Sequence, residues 1–202
     1  MNEPLIKKFD VEEKEIVVLD NVFTYKERAG FYDFITNSLF SLKGGDTNLL
    51  DHFGEYNIVS SYSESDLFNL QFTTNKSYKE IIDPFLVGYN ITQVRVNLST
   101  LNDKNRFHID GNGPKKLKTL IYYPNMKWDI EWGGLTLFAN ENCNDILQCV
   151  AYVPGRVVII DGSIPHCICP PTNLASSFRL SFVIQFERLM ESKSVTGWDN
   201  AE

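Results

Sequence analysis

The sequence has little of what several protein classes require. Basic residues are the minority, 19 Lys and Arg against 26 Asp and Glu, for a formal charge of −7. A general nucleic-acid binder carries a basic excess instead, and the small cluster Lys115, Lys116 and Lys118 is read as a solvated loop. No apolar run approaches the roughly 20 residues that span a bilayer. Residues 1–10 lack the apolar stretch of a secretory leader, so the expectation is a cytoplasmic protein with no membrane partner. Cysteine is scarce. Cys143, Cys149, Cys167 and Cys169 do not form paired zinc-ligand spacings and are expected as free thiols in a reducing compartment. Cys167 follows His166 on an extended segment, so its side chain should point away from whatever His166 faces; it is read as packing. Histidine is scarcer still, at three, so any imidazole chemistry must draw on His52, His108 and His166.

What remains is ordinary for a globular chain. At 202 residues and 43% apolar, it can bury a core without disulfides, and the absence of a linker or repeat favours one domain over 1–202. Helical signals fill the first part, about 1–90. Thr24-Tyr25-Lys26-Glu27 has the spacing of a capping box, and Phe31, Phe34, Ile35, Leu39 and Leu42 then form one helical stripe. Ser77-Tyr78-Lys79-Glu80 repeats the capping spacing, which predicts a short helix towards Leu86, interrupted at Pro84. Residues 43–75 carry no assignable pattern.

From about 91 to 187 the texture is that of short strands: Thr92–Leu98, Leu117–Tyr123, Leu135–Ala139, Gln148–Val153, Arg156–Ile160 and Phe178–Phe186. Turns punctuate them at Gly111-Asn112-Gly113-Pro114, Gly133-Gly134, Pro154-Gly155 and Pro170-Pro171. Residues 188–202 read as a tail. The pattern predicts a mainly β sandwich or barrel with flanking helices packed on one sheet. In the last strand, Phe178, Leu180, Phe182, Ile184 and Phe186 share one face, for the helices to cover. Arg179, Ser181, Val183 and Gln185 share the other. An arginine pointing into a barrel needs an anion, because an unpaired buried charge is costly.

His108-Ile109-Asp110 places an imidazole and a carboxylate on one side of an extended segment. A bare His-x-Asp is common by chance. With His166 as a third ligand it forms the two-histidine, one-carboxylate set of non-haem iron(II) oxygenases. Gly133-Gly134-Leu135-Thr136-Leu137-Phe138 and the run from Pro154 to His166 lie between. Arg179-Leu180-Ser181 follows, expected on a strand in a hairpin with the one bearing His166. There the guanidinium could grip a carboxylate with two parallel hydrogen bonds, with Ser181 donating another.

On these motifs the segment from about Ile91 to Glu187 resembles the catalytic core of the 2-oxoglutarate/Fe(II) oxygenases, in the prolyl 4-hydroxylase-like branch. The resemblance implies a double-stranded β-helix, or jelly-roll barrel, with N-terminal helices on its major sheet. It implies Fe(II) on His108, Asp110 and His166, with 2-oxoglutarate as co-substrate and O2 as oxidant. An aliphatic carbon would be hydroxylated while 2-oxoglutarate is decarboxylated to succinate and CO2. Its far carboxylate would pair with Arg179 and Ser181. The stretch Leu120 to Trp128 is similar to the strand and turn that carry a co-substrate tyrosine in prolyl hydroxylases, which gives that role to Tyr123. The retained Asp110 favours hydroxylation over halogenation. Two departures stand out. The His166–Arg179 gap is long, and Gln93 to Leu98 lacks the tyrosine that relatives place before His-x-Asp, with Asn97 as a substitute. Trp128 and Trp132 either line the entrance or anchor their loop. The implied substrate is a peptidyl proline or a small amino-acid-like metabolite. The alternatives are a non-catalytic cupin-like binding protein, against which Arg179 and Ser181 argue, and a nucleic-acid demethylase, against which the net charge argues.

Overall fold

The computed structural model describes residues 3–44, 56–103, 105–110 and 116–188. His52, the 111–114 turn, Lys115 and the tail beyond Arg188 lie outside the described residues. The elements in order are β1 (Leu5–Val11), β2 (Lys14–Asp20), α1 (Tyr25–Thr36), β3 (Ser41–Gly44), β4 (Tyr56–Tyr62) and α2 (Glu64–Leu70). A π-helical turn (Tyr78–Ile82) then runs into a 3-10 turn (Asp83–Phe85). After it come β5 (Tyr89–Ser99), β6 (Leu117–Tyr122), β7 (Thr136–Ala139), β8 (Ile146–Val150), β9 (Val157–Asp161), β10 (His166–Ile168) and β11 (Arg179–Arg188).

Two antiparallel sheets face one another. The larger has the order β1-β2-β9-β6-β11-β5-β4-β3, and the smaller β10-β7-β8. Period-2 alternation sorts the major-sheet side chains between two cores. Val17, Leu19, Leu120, Tyr122, Val157, Ile159, Leu180, Phe182, Ile184 and Phe186 join α1, α2 and the π-helical turn on the outer side. Ile16, Val18, Ile121, Tyr123, Val158, Ile160 and Val183 meet Phe138, Val150 and Tyr152 of the minor-sheet side. Strands buried on both faces read as continuous apolar runs, which is why β2 (KEIVVLD) and β9 (VVIID) do not alternate. The architecture is the mainly β, helix-backed jelly roll that the sequence implies.

Several local expectations differ from what is seen. The first part is not only helical, since β1 to β4 extend the major sheet at both edges. β1 escaped notice because it is an edge strand, polar and mostly exposed, with Lys7 and Lys8 in mid-strand, a composition that guards against edge-to-edge pairing. Thr24 does cap α1 with Glu27 in a capping box. The helix stops at Thr36, however, where the hydroxyls of Thr36 and Ser38 and the Asn37 amide take the last-turn carbonyls. Leu39 is therefore 93% exposed and Leu42 belongs to β3. Ser77 is already helical and caps nothing; Asn75 Oδ1 accepts from the Ser77 amide instead, at 2.7 Å. An unread capping box, Ser63 with Asp66, starts α2.

The expected hairpin between the His166 and Arg179 strands is also corrected. β10 pairs with β7 in the minor sheet, whereas β11 lies between β5 and β6 in the major one. The long 169–178 segment is a crossover between sheets. Pro170 and Pro171 have no amide hydrogen to continue a ladder. Asn125 fixes the far end, donating to Ser177 Oγ and the Phe178 carbonyl and accepting from the Leu180 amide.

The two-core arrangement predicts opposite costs for two phenylalanines in register on β11 and the residue before it. Phe182 is fully buried beneath the helices, and Phe178 is 59% exposed. Phe182→Ala should cost about 3–5 kcal/mol in urea unfolding, and Phe178→Ala less than about 0.5 kcal/mol. Equal losses would mean that the outer core does not end where described.

Candidate functional site

His108, Asp110 and His166 are brought together. Each offers one ligand atom, and the three atoms lie within 4.8 Å of one another. The minor sheet supplies the frame. His166 opens β10 opposite Phe138, and His108 forms a reciprocal bridge to it, with His108 N–H donating to the His166 carbonyl at 3.0 Å and the reverse bond at 2.9 Å. Asp110 N–H donates to the Gly162 carbonyl, which draws the chain inward two residues later.

Each imidazole is oriented by its own backbone neighbourhood. Nδ1 of His166 lies 2.9 Å from the Ile164 carbonyl, and Nδ1 of His108 lies 3.1 Å from the Arg106 carbonyl. A carbonyl only accepts, so Nδ1 of each ring carries a proton, and a neutral ring held this way presents its lone pair at Nε2. Burial foremost holds His166 below the usual histidine range, with His108 and Arg95 acting the same way and Asp110 opposing. The neutral form is the ligating form. His166 Nε2 then faces Asp110 Oδ2 at 3.6 Å, two electron-rich atoms with no proton between them. That donor set fits a divalent cation of the kind that takes imidazole and carboxylate ligands.

Asp110 is held from two further directions that the sequence reading did not assign. Thr119 Oγ1 donates to Oδ2 at 2.5 Å, and Gln185 Nε2 donates to Oδ1 at 2.8 Å. Period 2 would have found both. Gln185 continues the inward row Arg179, Ser181, Val183, and Thr119 begins the inward row that runs through Ile121 to Tyr123.

Arg179, Ser181 and Tyr123 form a second cluster. Arg179 is 0% exposed. It donates from Nε to the Gly134 carbonyl at 2.9 Å, from Nη1 to Ser181 Oγ at 2.8 Å and from Nη2 to Thr136 Oγ1 at 3.2 Å. Its guanidinium carbon sits 5.2 Å from the Tyr123 ring centre and 4.9 Å from that of Tyr152. Tyr123 shares a 2.7 Å hydrogen bond with Thr136, and burial raises its pKa, so the phenol keeps its proton. Every partner is neutral. No carboxylate pairs with Arg179 among the described residues, the situation in which a buried cation calls for an external anion. Thr136 and Tyr152 were missed by the sequence reading, although Thr136 lies in the quoted Gly133–Phe138 run.

The two clusters adjoin. Facing residues of paired strands point to one side, and so do alternate residues of one strand. His166 faces Phe138, and Thr136 lies two residues before it on β7, a step of about 7 Å. On the opposite wall the β11 row runs from Arg179 to the Gln185 that holds Asp110. The remaining expectations resolve simply. Cys167 packs, its buried thiol pushed up to about 11 and bonded to the Asn105 carbonyl. Trp128 anchors its loop, donating to the Gly133 carbonyl and packing on Trp132 and Tyr152. Asn97 stands opposite Ser181, half-buried on the inward face.

No protein-family profile matches this sequence, and no curated protein is similar to it. Solved structures are similar. An oxidoreductase of the 2OG-Fe(II) oxygenase family from Burkholderia pseudomallei superposes with a TM-score of 0.63 at 14% identity, over 88% of this chain and 87% of that one. A prolyl hydroxylase from Trichoplax adhaerens, in complex with a hypoxia inducible factor oxygen degradation domain peptide fragment, gives 0.62 at 14% identity, over 86% and 83%. EvdO2 from Micromonospora carbonacea var. aurantiaca, complexed with 2-oxoglutarate, gives 0.60 at 12% identity, over 95% and 96%. The chain therefore has the fold of the 2-oxoglutarate/Fe(II) oxygenases, prolyl hydroxylases among them. Among the described residues no helix is long and apolar enough to cross a membrane.

Gly134 ties the second cluster to the backbone. Its φ is +73°, and an added Cβ would lie 3.1 Å from both Arg179 Cδ and Trp128. Gly134→Ala should therefore cost about 1–3 kcal/mol in urea unfolding. A neutral result would show that the Arg179 side chain is not wedged there.

Proposed function

We propose that this chain is a single-domain Fe(II)/2-oxoglutarate-dependent dioxygenase that hydroxylates an aliphatic carbon. What carries the reading is one pairing. A two-histidine, one-carboxylate set adjoins a buried arginine that has no acid partner among the described residues. A cupin-like metal-binding protein would need the first and not the second. The fold shared with structures of this oxygenase class, one of them holding 2-oxoglutarate, supports the same reading.

In this reading His108, Asp110 and His166 hold the iron, and Arg179, Ser181 and Tyr123 hold the far carboxylate of 2-oxoglutarate. When bound, the iron, 2-oxoglutarate and O2 supply an oxidant for a C–H bond as 2-oxoglutarate becomes succinate and CO2. The chain's own contribution is positioning and exclusion of water. The Ile164 and Arg106 carbonyls fix which imidazole nitrogen is offered. Thr119 and Gln185 keep the Asp110 carboxylate from turning. Tyr123 and Tyr152 enclose the guanidinium in a low-dielectric sleeve, where its attraction for a carboxylate is strongest. The Ser181 hydroxyl, accepting from Arg179, still has its own hydrogen to donate. The substrate would be a peptidyl proline or a small amino-acid-like metabolite. Trichoplax prolyl hydroxylase, bound to a peptide fragment, supports the former, and the polar inner wall considered below supports the latter.

The deciding experiment is anaerobic titration of the metal-free protein with iron(II) and then 2-oxoglutarate, followed by the weak visible charge-transfer absorption of the chelate. The absorption should require both components and vanish in His108→Ala and His166→Ala. In Arg179→Met the iron should still bind, and 2-oxoglutarate should be lost. A folded, iron-loaded protein without the band would refute the oxygenase reading, and normal 2-oxoglutarate affinity in Arg179→Met would refute the assigned carboxylate partner.

A separate prediction concerns the Asp110 supports. Gln185→Leu and Thr119→Val should each weaken manganese(II) binding by about 10–100-fold, read by the paramagnetic resonance of the free ion. Unchanged affinity in both would mean that neither bond orients the carboxylate.

A further inference from the structure

A second arginine faces the same interior and is used by nothing described so far. On β5, Val94 and Val96 belong to the outer core, so Gln93, Arg95, Asn97 and Ser99 alternate to the inner face. The register agrees. Arg95 lies opposite Val183 of the inner core on one side and Ser61 on the other, and Gln93 lies opposite Gln185. Gln185 is the residue whose amide holds Asp110. Arg95 thus stands one strand over from β11 and one row from the residue that touches the triad.

Its hydrogen bonding is incomplete. Nη1 donates to Gln93 Oε1 at 3.3 Å, a long bond to a neutral group. Nε is buried and has no partner, and no carboxylate pairs with Arg95 among the described residues. Only two other buried side-chain polar atoms among the described residues lack a partner, Arg28 Nε and Tyr122 Oη. Those lie near one another, with Tyr122 facing the outer core. The unpartnered atom inside the sandwich is therefore that of Arg95. A buried N–H without an acceptor is costly, and the Nε edge of a guanidinium matches the two oxygens of a carboxylate.

Resting on the oxygenase reading above, we propose that Arg95 binds a carboxylate of the primary substrate, which makes that substrate a small free carboxylic acid of amino-acid type. Asn97, half-buried on the same face, offers a neutral amide suited to an acid's other polar atoms. A residue in the middle of a peptide has no main-chain carboxylate to offer at this position, so the inner wall favours a free metabolite over a peptidyl proline. Arg179 remains the co-substrate's partner and Arg95 the substrate's, one guanidinium for each carboxylate-bearing molecule.

The test is calorimetric, on the full chain loaded with manganese(II) and 2-oxoglutarate so that Arg179 is occupied. The probes are the free protein amino acids and, for each, the matching primary carboxamide. At least one acid should bind, and its carboxamide about tenfold or more weaker. Arg95→Met should lose that acid by a similar factor and Arg95→Lys should recover part of it, while both keep the iron/2-oxoglutarate band. The proposal is overturned if no acid binds the wild type, if the carboxamide binds as tightly as the acid, or if Arg95→Met binds the acid normally. Should Arg95→Met fail to fold, by thermal melting, the acid and carboxamide comparison on the wild type and Arg95→Lys decides. Failure of the oxygenase reading shows separately, as a wild type without the charge-transfer band. The acid titrations then run on the metal-free chain, with the same outcomes for Arg95.

Discussion

A guanidinium has been taken wholly out of water, and no acid among the described residues accompanies it. Much of the inner architecture follows from that constraint. Arg179 is the first residue of a central strand of the major sheet, and the neutral groups that receive its hydrogen bonds come from Ser181 on its own strand and, across the interior, from β7 and the turn before it. The bonds engage each of its three nitrogens without neutralising its charge. They keep the side chain in one place while leaving most of its attraction available. An aspartate in place of Thr136 would pair with the cation, and in doing so would occupy the role that an external carboxylate would otherwise take.

The same separation of tasks governs the sheets. Strands β2, β6, β9 and β11 divide their side chains between an outer core under the helices and an inner core between the sheets. The outer core is rich in aromatic contacts, with Phe72 packed against Phe23, Phe31, Tyr78, Tyr122 and Phe182. It stiffens the major sheet from behind. The inner side can then afford polar residues, because stability does not depend on filling that face with hydrocarbon alone. The minor sheet is small and carries the histidines on its edge, where the backbone bridge between His108 and His166 sets their separation.

How much of this could be read from residues alone depended on whether a signal was local. The His-x-Asp pair, the Arg-x-Ser pair and the faces of β11 are period-2 statements within a few residues, and the geometry agrees with each except at Phe178, which precedes the strand and is exposed rather than covered by the helices. The hairpin expected between His166 and Arg179 failed because pairing is a long-range choice. The Pro170-Pro171 crossover and its anchor on Asn125, some fifty residues earlier in the chain, leave no local trace. The edge strand β1 was missed because edges are protected by looking unlike strands. Helix α1 ended early because Thr36, Asn37 and Ser38 take its last-turn carbonyls, a terminating signal that an apolar stripe through Leu39 concealed. Thr119 and Gln185 were legible in principle. Gln185 lies on the inward row already identified, and Thr119 shares the face of Tyr123 four residues on; only the habit of looking for ionisable residues passed them over.

Charge accounting connects Asp110 with the inward arginines of β11 and β5. Asp110 is an anion whose two oxygens accept from neutral donors, with His166 presenting a lone pair towards it, so its surroundings leave room for a cation. Arg179 is a cation among neutral acceptors and aromatic faces, so its surroundings leave room for an anion. Arg95 repeats the second situation nearer to Asp110, with an unused Nε in place of a full set of bonds. Had Arg95 served only to balance Asp110, a direct ion pair between them would be the cheapest arrangement, and Gln185 would not be the group found on Oδ1. The glutamine keeps the two charges apart, and each is left to a partner from outside the chain.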